Sequence, residues 1–162
     1  MLLAHGCGKG GVEELSTMAL TETDLPGDYT LAYEERKVEF GEFDKMVGAN
    51  VGYEIGFERT DGKVKFLETI IICSNPQLIP SADELRVAFT SKQERYQVTQ
   101  LSNPNIGEYS SAAEIEDKHY GEITFLLTFS KGNKYVRFMF WGDEANYELL
   151  KELARKAEGK IK

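Results

Sequence analysis

The sequence predicts an α+β fold, in which an antiparallel β-sheet has helices packed mostly on one of its faces. Two hairpin patterns, at residues 51–73 and 120–141, support this prediction, and an amphipathic helix pattern follows each of them. The chain has 162 residues, which is the length of one ordinary domain. We therefore expect a single folded unit over residues 24–162.

The first strand is predicted to begin after the turn at Pro26-Gly27. Tyr29, Leu31 and Tyr33 alternate with other residues, which predicts a strand with one apolar face. The charged residues 34–37 interrupt this pattern before it resumes. Upstream of the turn, Val12–Met18 fits a short helix.

The clearest hairpin pattern lies between Val51 and Cys73. Apolar residues alternate from Val51 to Phe57, and Asp61-Gly62 predicts a tight turn with positive φ angles. The returning strand ends in the continuous apolar run Ile70–Ile72. Such a run is typical of a strand that is covered on both faces.

A helix is predicted to start at Ser81, because Ser81 and Glu84 have the spacing of a capping box. Apolar residues at helical spacing extend this helix to about Tyr96. Residues 98–101 fit a short strand, and Asn103–Gly107 has the composition of a loop.

The second hairpin is predicted from two β-prone runs, Tyr120–Ser130 and Lys134–Trp141, which Lys131–Asn133 joins. A last helix is predicted to begin at Gly142-Asp143 and to end at Gly159. Its apolar stripe consists of Leu149, Leu150, Leu153, Ala154 and Ala157.

Composition excludes several classes of protein. The net charge of −8 disfavours binding to nucleic acids and to anionic lipid surfaces. No run of about 18 apolar residues is long enough to span a bilayer. The two cysteines form no Cys-x-x-Cys pair and no zinc-type spacing with histidine, so we expect neither a metal site nor a cofactor.

Cys7 is the candidate lipid anchor. The segment Leu2–Cys7 resembles the end of a lipoprotein export signal, and the glycine-rich residues 8–11 resemble a tether. Residues 1–23 are accordingly assigned to a signal remnant and flexible tether. The alternative is an ordinary chain terminus that contains a thiol. Cys73 fits a small buried hydrophobe, and a Cys7–Cys73 disulfide remains open.

Few residues offer catalytic chemistry. His119 follows the carboxylates of Glu114, Glu116 and Asp117, so a histidine–carboxylate site is conceivable, although a solvated turn explains the same pattern. These carboxylates, with the pairs Asp83-Glu84 and Asp143-Glu144, could also bind calcium. The two pairs have a simpler use as acids in the first turns of helices.

Aromatic residues of the second hairpin give the strongest indication of a ligand pocket, because aromatic side chains line many small-molecule sites. The competing interpretation is that they fill the core beneath the last helix. The residues concerned are Tyr135, Phe138, Phe140 and Trp141.

Several short motifs resemble those of small PsbP-like domains of bacterial and archaeal surface lipoproteins. They are Asp24–Gly27, the strand-to-helix segment Ile70–Tyr96, the turn Asn105–Ser110 and the hairpin centre Phe129–Lys134. In the turn motif Glu108 stands where an aspartate usually follows. The resemblance implies an α/β sandwich and an extracytoplasmic setting, without implying a shared reaction.

Together these patterns predict a non-catalytic binding or interaction domain of an exported protein, anchored at the cell surface through Cys7. Its partner is expected to be an unidentified protein or small molecule, and the membrane is reached only through the anchor. A cytosolic small-molecule-binding domain is the first alternative. The second is a hydrolase-like enzyme that uses His119 with the nearby carboxylates. The sequence does not indicate an oligomeric state.

Overall fold

A seven-stranded antiparallel sheet forms the centre of the protein, as described by a computed structural model over residues 10–88 and 95–162. The strands are β1 (Tyr29–Lys37), β2 (Ala49–Arg59), β3 (Val64–Cys73), β4 (Tyr96–Gln100), β5 (Tyr109–Asp117), β6 (Glu122–Lys131) and β7 (Lys134–Gly142). The helices are α1 (Gly10–Met18), α2 (Glu42–Met46), α3 (Ala82–Ala88) and α4 (Tyr147–Lys160), with a 3-10 turn at Glu22–Asp24. The predicted α+β fold class is confirmed.

The strand order is β1-β2-β3-β7-β6-β5-β4, so the sheet consists of two meanders that meet at its centre. Strands that are neighbours in sequence pair within each meander, as hairpins do. The β3–β7 pairing joins the two meanders, with Ile70 opposite Val136. The connection through α3 carries the chain from the central β3 to the edge strand β4.

One face of the sheet, here called the first face, carries the main apolar core. Helices α1 and α4 cover it, and Leu15 of α1 and Leu153 of α4 are buried with the strand residues. The rings of Phe66 and Phe138 stack on neighbouring strands, with their centroids 5.4 Å apart. This face removes most of the large side chains from water, which is the dominant stabilising term in folding.

The opposite face, here called the second face, is covered by α2, α3 and the segments around them. Two smaller apolar clusters lie there, one around Leu85, Val98 and Ile115 and the other around Ile71 and Tyr135. Among the described residues, two helices therefore lie on each face. The prediction that the helices pack mostly on one face is wrong.

Both predicted hairpins are confirmed as β2–β3 and β6–β7. The first turn differs in detail, because only Gly62 has a positive φ angle. Asp61 instead accepts a hydrogen bond from the Lys63 N–H and pairs with Arg59. The carboxylate thus holds the loop by side-chain contacts.

The folded core begins well before residue 24. Leu15, Met18 and Leu20 are buried in the first-face cluster, and the 3-10 turn follows them. The assignment of residues 10–23 to a flexible tether is therefore corrected, because their apolar side chains complete the core. Residues 1–9, which include Cys7, lie outside the described residues.

The prediction for residues 81–96 is correct at its start and wrong at its end. The Ser81 N–H donates to Glu84 Oε2 at 2.7 Å and the Glu84 N–H donates to Ser81 Oγ at 3.2 Å, which confirms the capping box. Tyr96 belongs to β4, where it pairs with Asp117. The predicted helix over residues 89–94 lies outside the described residues.

Strand β1 also departs from its predicted pattern. It continues through the charged residues 34–37, and the side chains of Leu31 and Tyr33 are each 43% exposed. An edge strand borders solvent, so charges are tolerated there and an apolar residue is not forced into the core.

The last helix begins later than predicted. Asn146 is its N-cap, with Asn146 Oδ1 accepting from the Glu148 N–H at 2.8 Å, and the helix passes Gly159 to end at Lys160. Asp143 and Glu144 lie before the helix, and Glu144 pairs with Arg59 at 2.5 Å. The predicted apolar stripe is confirmed, since four of its residues are buried.

No helix in the described ranges has both the length and the apolar character needed to cross a membrane.

Candidate functional site

A row of polar residues crosses the middle of the second face. Cross-strand partners in an antiparallel sheet point to the same face, so the pairing register aligns these residues. The row runs from β1 to β5 through Glu35, Glu54, Thr69, Arg137, Thr128 and Ser111. Polar side chains so near a sheet centre have a desolvation cost, which hydrogen bonding offsets at Glu54 and Thr69 but not at Thr128 Oγ1, which has no partner in the described chain.

Glu54 is the best-connected member of this polar row. Its Oε1 accepts from the Tyr33 hydroxyl at 3.0 Å, and its Oε2 accepts from Thr69 Oγ1 at 2.8 Å. The Lys37 ammonium lies 3.5 Å from the same Oε2. Glu54 is 8% exposed, and its carboxylate has one cation and two hydrogen-bond donors as partners. The row is rigid at this end.

Helix α2 is fixed to the row by a second ion pair. Arg137 Nη1 donates to Asp44 Oδ1 at 2.5 Å, and Asp44 is almost fully buried. Phe43 on the same helix packs against the apolar cluster beside the row. Because a buried carboxylate is costly without its cation, this pair sets where α2 lies.

The row ends at a surface depression, here called the amide cleft. Gln77, Ile79 and Ser81 of the β3–α3 connection form one wall, and residues 100–111 form the other. The cleft has a volume of about 470 Å³. Ser111 belongs both to the row and to the cleft, so the row extends from β1 to the edge of this site.

The loop that forms the second wall is held in one conformation by its own side chains. Asn103 Oδ1 accepts from the Asn105 N–H at 2.9 Å and from Ser110 Oγ at 2.7 Å. Ile106 anchors the loop in the first-face core. Gly107 has a φ angle of +67°, and a Cβ atom there would lie 2.3 Å from the Ser130 carbonyl oxygen. Only glycine fits at that position.

Apart from the Glu108 carboxylate, the cleft presents neutral hydrogen-bonding groups. Within the described residues, the side chains of Gln77, Gln100 and Ser111 have no hydrogen bond or ion pair. Tyr109 is 49% exposed at the cleft. Neither lysine, arginine nor histidine is among the described lining residues. This arrangement can bind an uncharged polar molecule.

His119 lies exposed in the turn between β5 and β6. Its backbone N–H, and not its imidazole, donates to Asp117 Oδ1 at 3.0 Å. Asp117 is already paired with Arg95 at 2.7 Å, and the hydrogen bond from that guanidinium lowers the pKa of the carboxyl. The structure therefore does not bring the imidazole and the carboxylate together.

The acidic segment Glu114–Asp117 belongs to strand β5, which the sequence did not predict. Across the described ranges, no three His, Cys, Asp or Glu side chains cluster closely enough to hold a metal ion. The Asp83-Glu84 pair begins α3 as expected, whereas the placement of Asp143-Glu144 inside a helix is wrong.

The aromatic group of the second hairpin fills the interior. Phe138 and Phe140 are buried on the first face, and Tyr135 is buried on the second. Trp141 is partly buried. Phe138 and Phe140 thus fill the core beneath the last helix, as the simpler of the two predictions has it, whereas Tyr135 is a core residue of the other face. Cys73 is a buried free thiol, and burial raises its pKa to about 11.

Sequence reasoning missed the amide cleft. Its walls lie far apart in the chain, and the amide and serine residues fit an ordinary loop. One usable signal was the segment Asn103–Gly107, followed by Glu108 and then by Tyr-Ser-Ser. A loop rich in turn residues beside a rigid strand is a common place for binding residues.

No protein-family model matches this chain, and no curated protein matches it. Its structure is similar to the crystal structure of the extracellular domain of PknH from Mycobacterium tuberculosis, with a TM-score of 0.60. The two chains are 9% identical, and the match covers 91% of this chain and 95% of the other. At this identity the likeness shows a shared fold.

Proposed function

We propose that this chain is a non-catalytic binding domain of an exported, lipid-anchored protein, and that the amide cleft is its binding site. The observation that carries the proposal is the preorganised cleft at the end of the polar row, whose described lining has one carboxylate, Glu108, and no cation. Gln77, Gln100 and Ser111 offer donors and acceptors there, and the rigid Asn103–Ser110 loop holds one wall in place. Preorganisation reduces the entropy lost on binding.

The extracytoplasmic setting is supported by two features. Gly6-Cys7 has the arrangement of a lipoprotein cleavage site, and the similar solved structure is an extracellular domain. Membership of the PsbP-like domains is part of the same proposal. It is supported by the motifs at Asp24–Gly27 and Asn105–Ser110.

The anchor is tested by measuring the intact mass of the native protein from its own cells. We expect the added mass of two or more lipid chains on Cys7, because a single chain binds membranes only marginally. Cys7→Ser should abolish both the added mass and membrane fractionation, whereas the control Cys73→Ala should retain both. An unmodified Cys7 would leave the cytosolic small-molecule-binding alternative in place of the anchored one.

The cleft is tested by thermal unfolding against a panel of neutral small molecules, namely sugars, polyols, nucleosides and short peptides. A ligand that binds only the folded state raises its melting temperature. Gln100→Trp should fill the cleft and remove the stabilisation. Thr99→Trp is the matched control, since Thr99 is exposed on the neighbouring position of the same strand.

The proposal fails if no panel member stabilises the wild-type protein more than it stabilises the Gln100→Trp variant. It also fails if Thr99→Trp loses the effect equally, because the response would then report general stability and not the cleft.

A further inference from the structure

We infer that the ligand of the amide cleft is a saccharide. This inference rests on the proposed function and names the chemical class that the site binds. It depends on three properties of the cleft, which are its charge, its polar groups and its exposed aromatic ring.

The charge of the cleft excludes an anionic ligand. The described lining has no cation, and its one carboxylate, Glu108, adds negative charge, although Glu108 Oε1 accepts a hydrogen bond from the Gly132 N–H at 3.1 Å. A phosphate or carboxylate ligand would lose its hydration without gaining a counter-charge. An uncharged ligand avoids that cost.

The polar groups of the cleft match a molecule with many hydroxyls. A glutamine amide offers two donors and a two-lone-pair acceptor in one plane, and a sugar hydroxyl can both donate and accept. Gln77 lines the cleft from the β3–α3 connection, whereas Gln100 and Ser111 line it from the other wall. None of the three has a hydrogen-bond partner elsewhere in the described chain.

Tyr109 supplies the complementary apolar surface. Its side chain is 49% exposed although it lies in a sheet, and Ile79 is half-buried on the other wall. A pyranose ring has C–H faces that pack on an aromatic ring, while its equatorial hydroxyls reach outward to polar groups. Tyrosine combines an apolar face with a polar tip, which suits such a ligand.

A peptide fits the cleft less well. Extended peptides bind sheets by pairing along an edge strand, which needs a run of free backbone groups. Strand β4 is an edge strand, but only its last residue, Gln100, lines the cleft. The cleft volume of about 470 Å³ falls in the usual range for small-molecule sites, and the cleft itself lies at the ends of β4 and β5.

The test is a titration followed by NMR and calorimetry, with four tetrasaccharides as probes: N-acetylchitotetraose, cellotetraose, maltotetraose and mannotetraose. Tetra-alanine is the peptide comparator. We expect at least one tetrasaccharide to bind, with saturation transfer from the protein concentrated on its ring C–H protons. Shifts in the protein spectrum should centre on Gln77, Gln100 and Tyr109.

Matched variants separate stacking from hydrogen bonding. Tyr109→Ala should weaken saccharide binding about tenfold, whereas Tyr109→Phe should stay within about threefold of the wild type. Gln100→Ala should weaken binding by about three- to tenfold, and the control Thr99→Ala should leave it unchanged.

The outcomes distinguish the two proposals. Saccharides are tested up to about 10 mM, since roughly millimolar affinity is the weakest of interest. If tetra-alanine binds in the cleft and no saccharide does, the saccharide inference is wrong and the binding function stands. If no saccharide binds but a polyol, nucleoside or peptide of the thermal-unfolding panel stabilises the protein through the cleft, the same conclusion follows. If nothing binds, both proposals are overturned.

Discussion

The two faces of the sheet treat a buried carboxylate in opposite ways. Glu54 on the second face has Tyr33, Thr69 and Lys37 as partners, so its charge is compensated. Glu68 on the first face is fully buried among apolar residues, and Leu20 N–H at 2.7 Å is its hydrogen-bond donor. The other Glu68 oxygen, Oε1, has no partner in the described chain.

This difference separates the tasks of the two faces. The first face excludes water and supplies most of the apolar burial, and within the described residues Glu68 has a single hydrogen-bond donor there. The second face has smaller apolar clusters and a row of polar residues between them, in which Glu54 and Asp44 are paired with cations while Thr128 Oγ1 and Arg137 Nε have no partner in the described chain. The comparison indicates that the first face contributes most of the apolar burial and that the proposed binding site lies on the second.

The largest expected effect concerns the pH dependence of stability. Burial raises the pKa of Glu68 from 4.5 to about 8, and the hydrogen bond from Leu20 opposes this shift. The folded state therefore keeps its proton while the unfolded state loses it above about pH 4.5. The free energy of unfolding should fall as pH rises from about 4.5 to about 8, by up to about 5 kcal/mol.

Urea unfolding at several pH values measures this effect. Glu68→Gln should flatten the fall, because it has no proton to lose, whereas the exposed control Glu152→Gln should keep the wild-type profile. A wild-type stability that is flat across this range would contradict the assigned protonation of Glu68 and weaken the contrast between the faces.

The next effect tests the ion pair of the second face. Arg137→Met leaves Asp44 buried without its cation and should destabilise the protein by about 3 kcal/mol. Adding Asp44→Leu should restore at least half of that loss, because no unpaired charge then remains. Urea unfolding of the two single variants and the double variant gives the coupling energy. Additive losses would show that Arg137 does not hold α2 through Asp44.

The smallest effect sharpens the role of the rigid loop. Gly107→Ala combines a positive φ angle with a Cβ contact of 2.3 Å to the Ser130 carbonyl oxygen, and should cost about 2 to 3 kcal/mol. Gly132 also has a positive φ angle, but its Cβ position is open, so Gly132→Ala isolates the backbone cost of about 1 kcal/mol. Thermal unfolding of both variants measures the difference. Equal losses would mean that the loop is not closely packed at Gly107.

Local signals predicted much of the fold. The turn at Gly62, the capping box at Ser81 and the stripe on α4 all depend on residues close together in sequence, and all are present. Strand β5 was missed because Glu114, Glu116 and Asp117 resemble a charged loop. Pairing with β4 and β6 decides that segment, and periodicity does not reveal such partners.

The candidate site was less predictable than the fold for the same reason. Two of the aromatic residues that suggested a pocket, Phe138 and Phe140, are core residues on the first face of the sheet. The cleft instead joins the β3–α3 connection to the β4–β5 loop, and Gln77 and Gln100 line it together although they lie far apart in the sequence. No spacing rule within either segment indicates that meeting.

The packing of α1 into the first-face core limits how freely an anchored domain could move. Only residues 8 and 9 separate Cys7 from the start of α1, so even a fully extended chain would span about 10 Å there. With the proposed lipid on Cys7, the short linker would keep the domain within about one Debye length of the lipid headgroups. The position of α1 would then limit the orientations of the sheet, and with them the direction in which the second face points relative to the membrane.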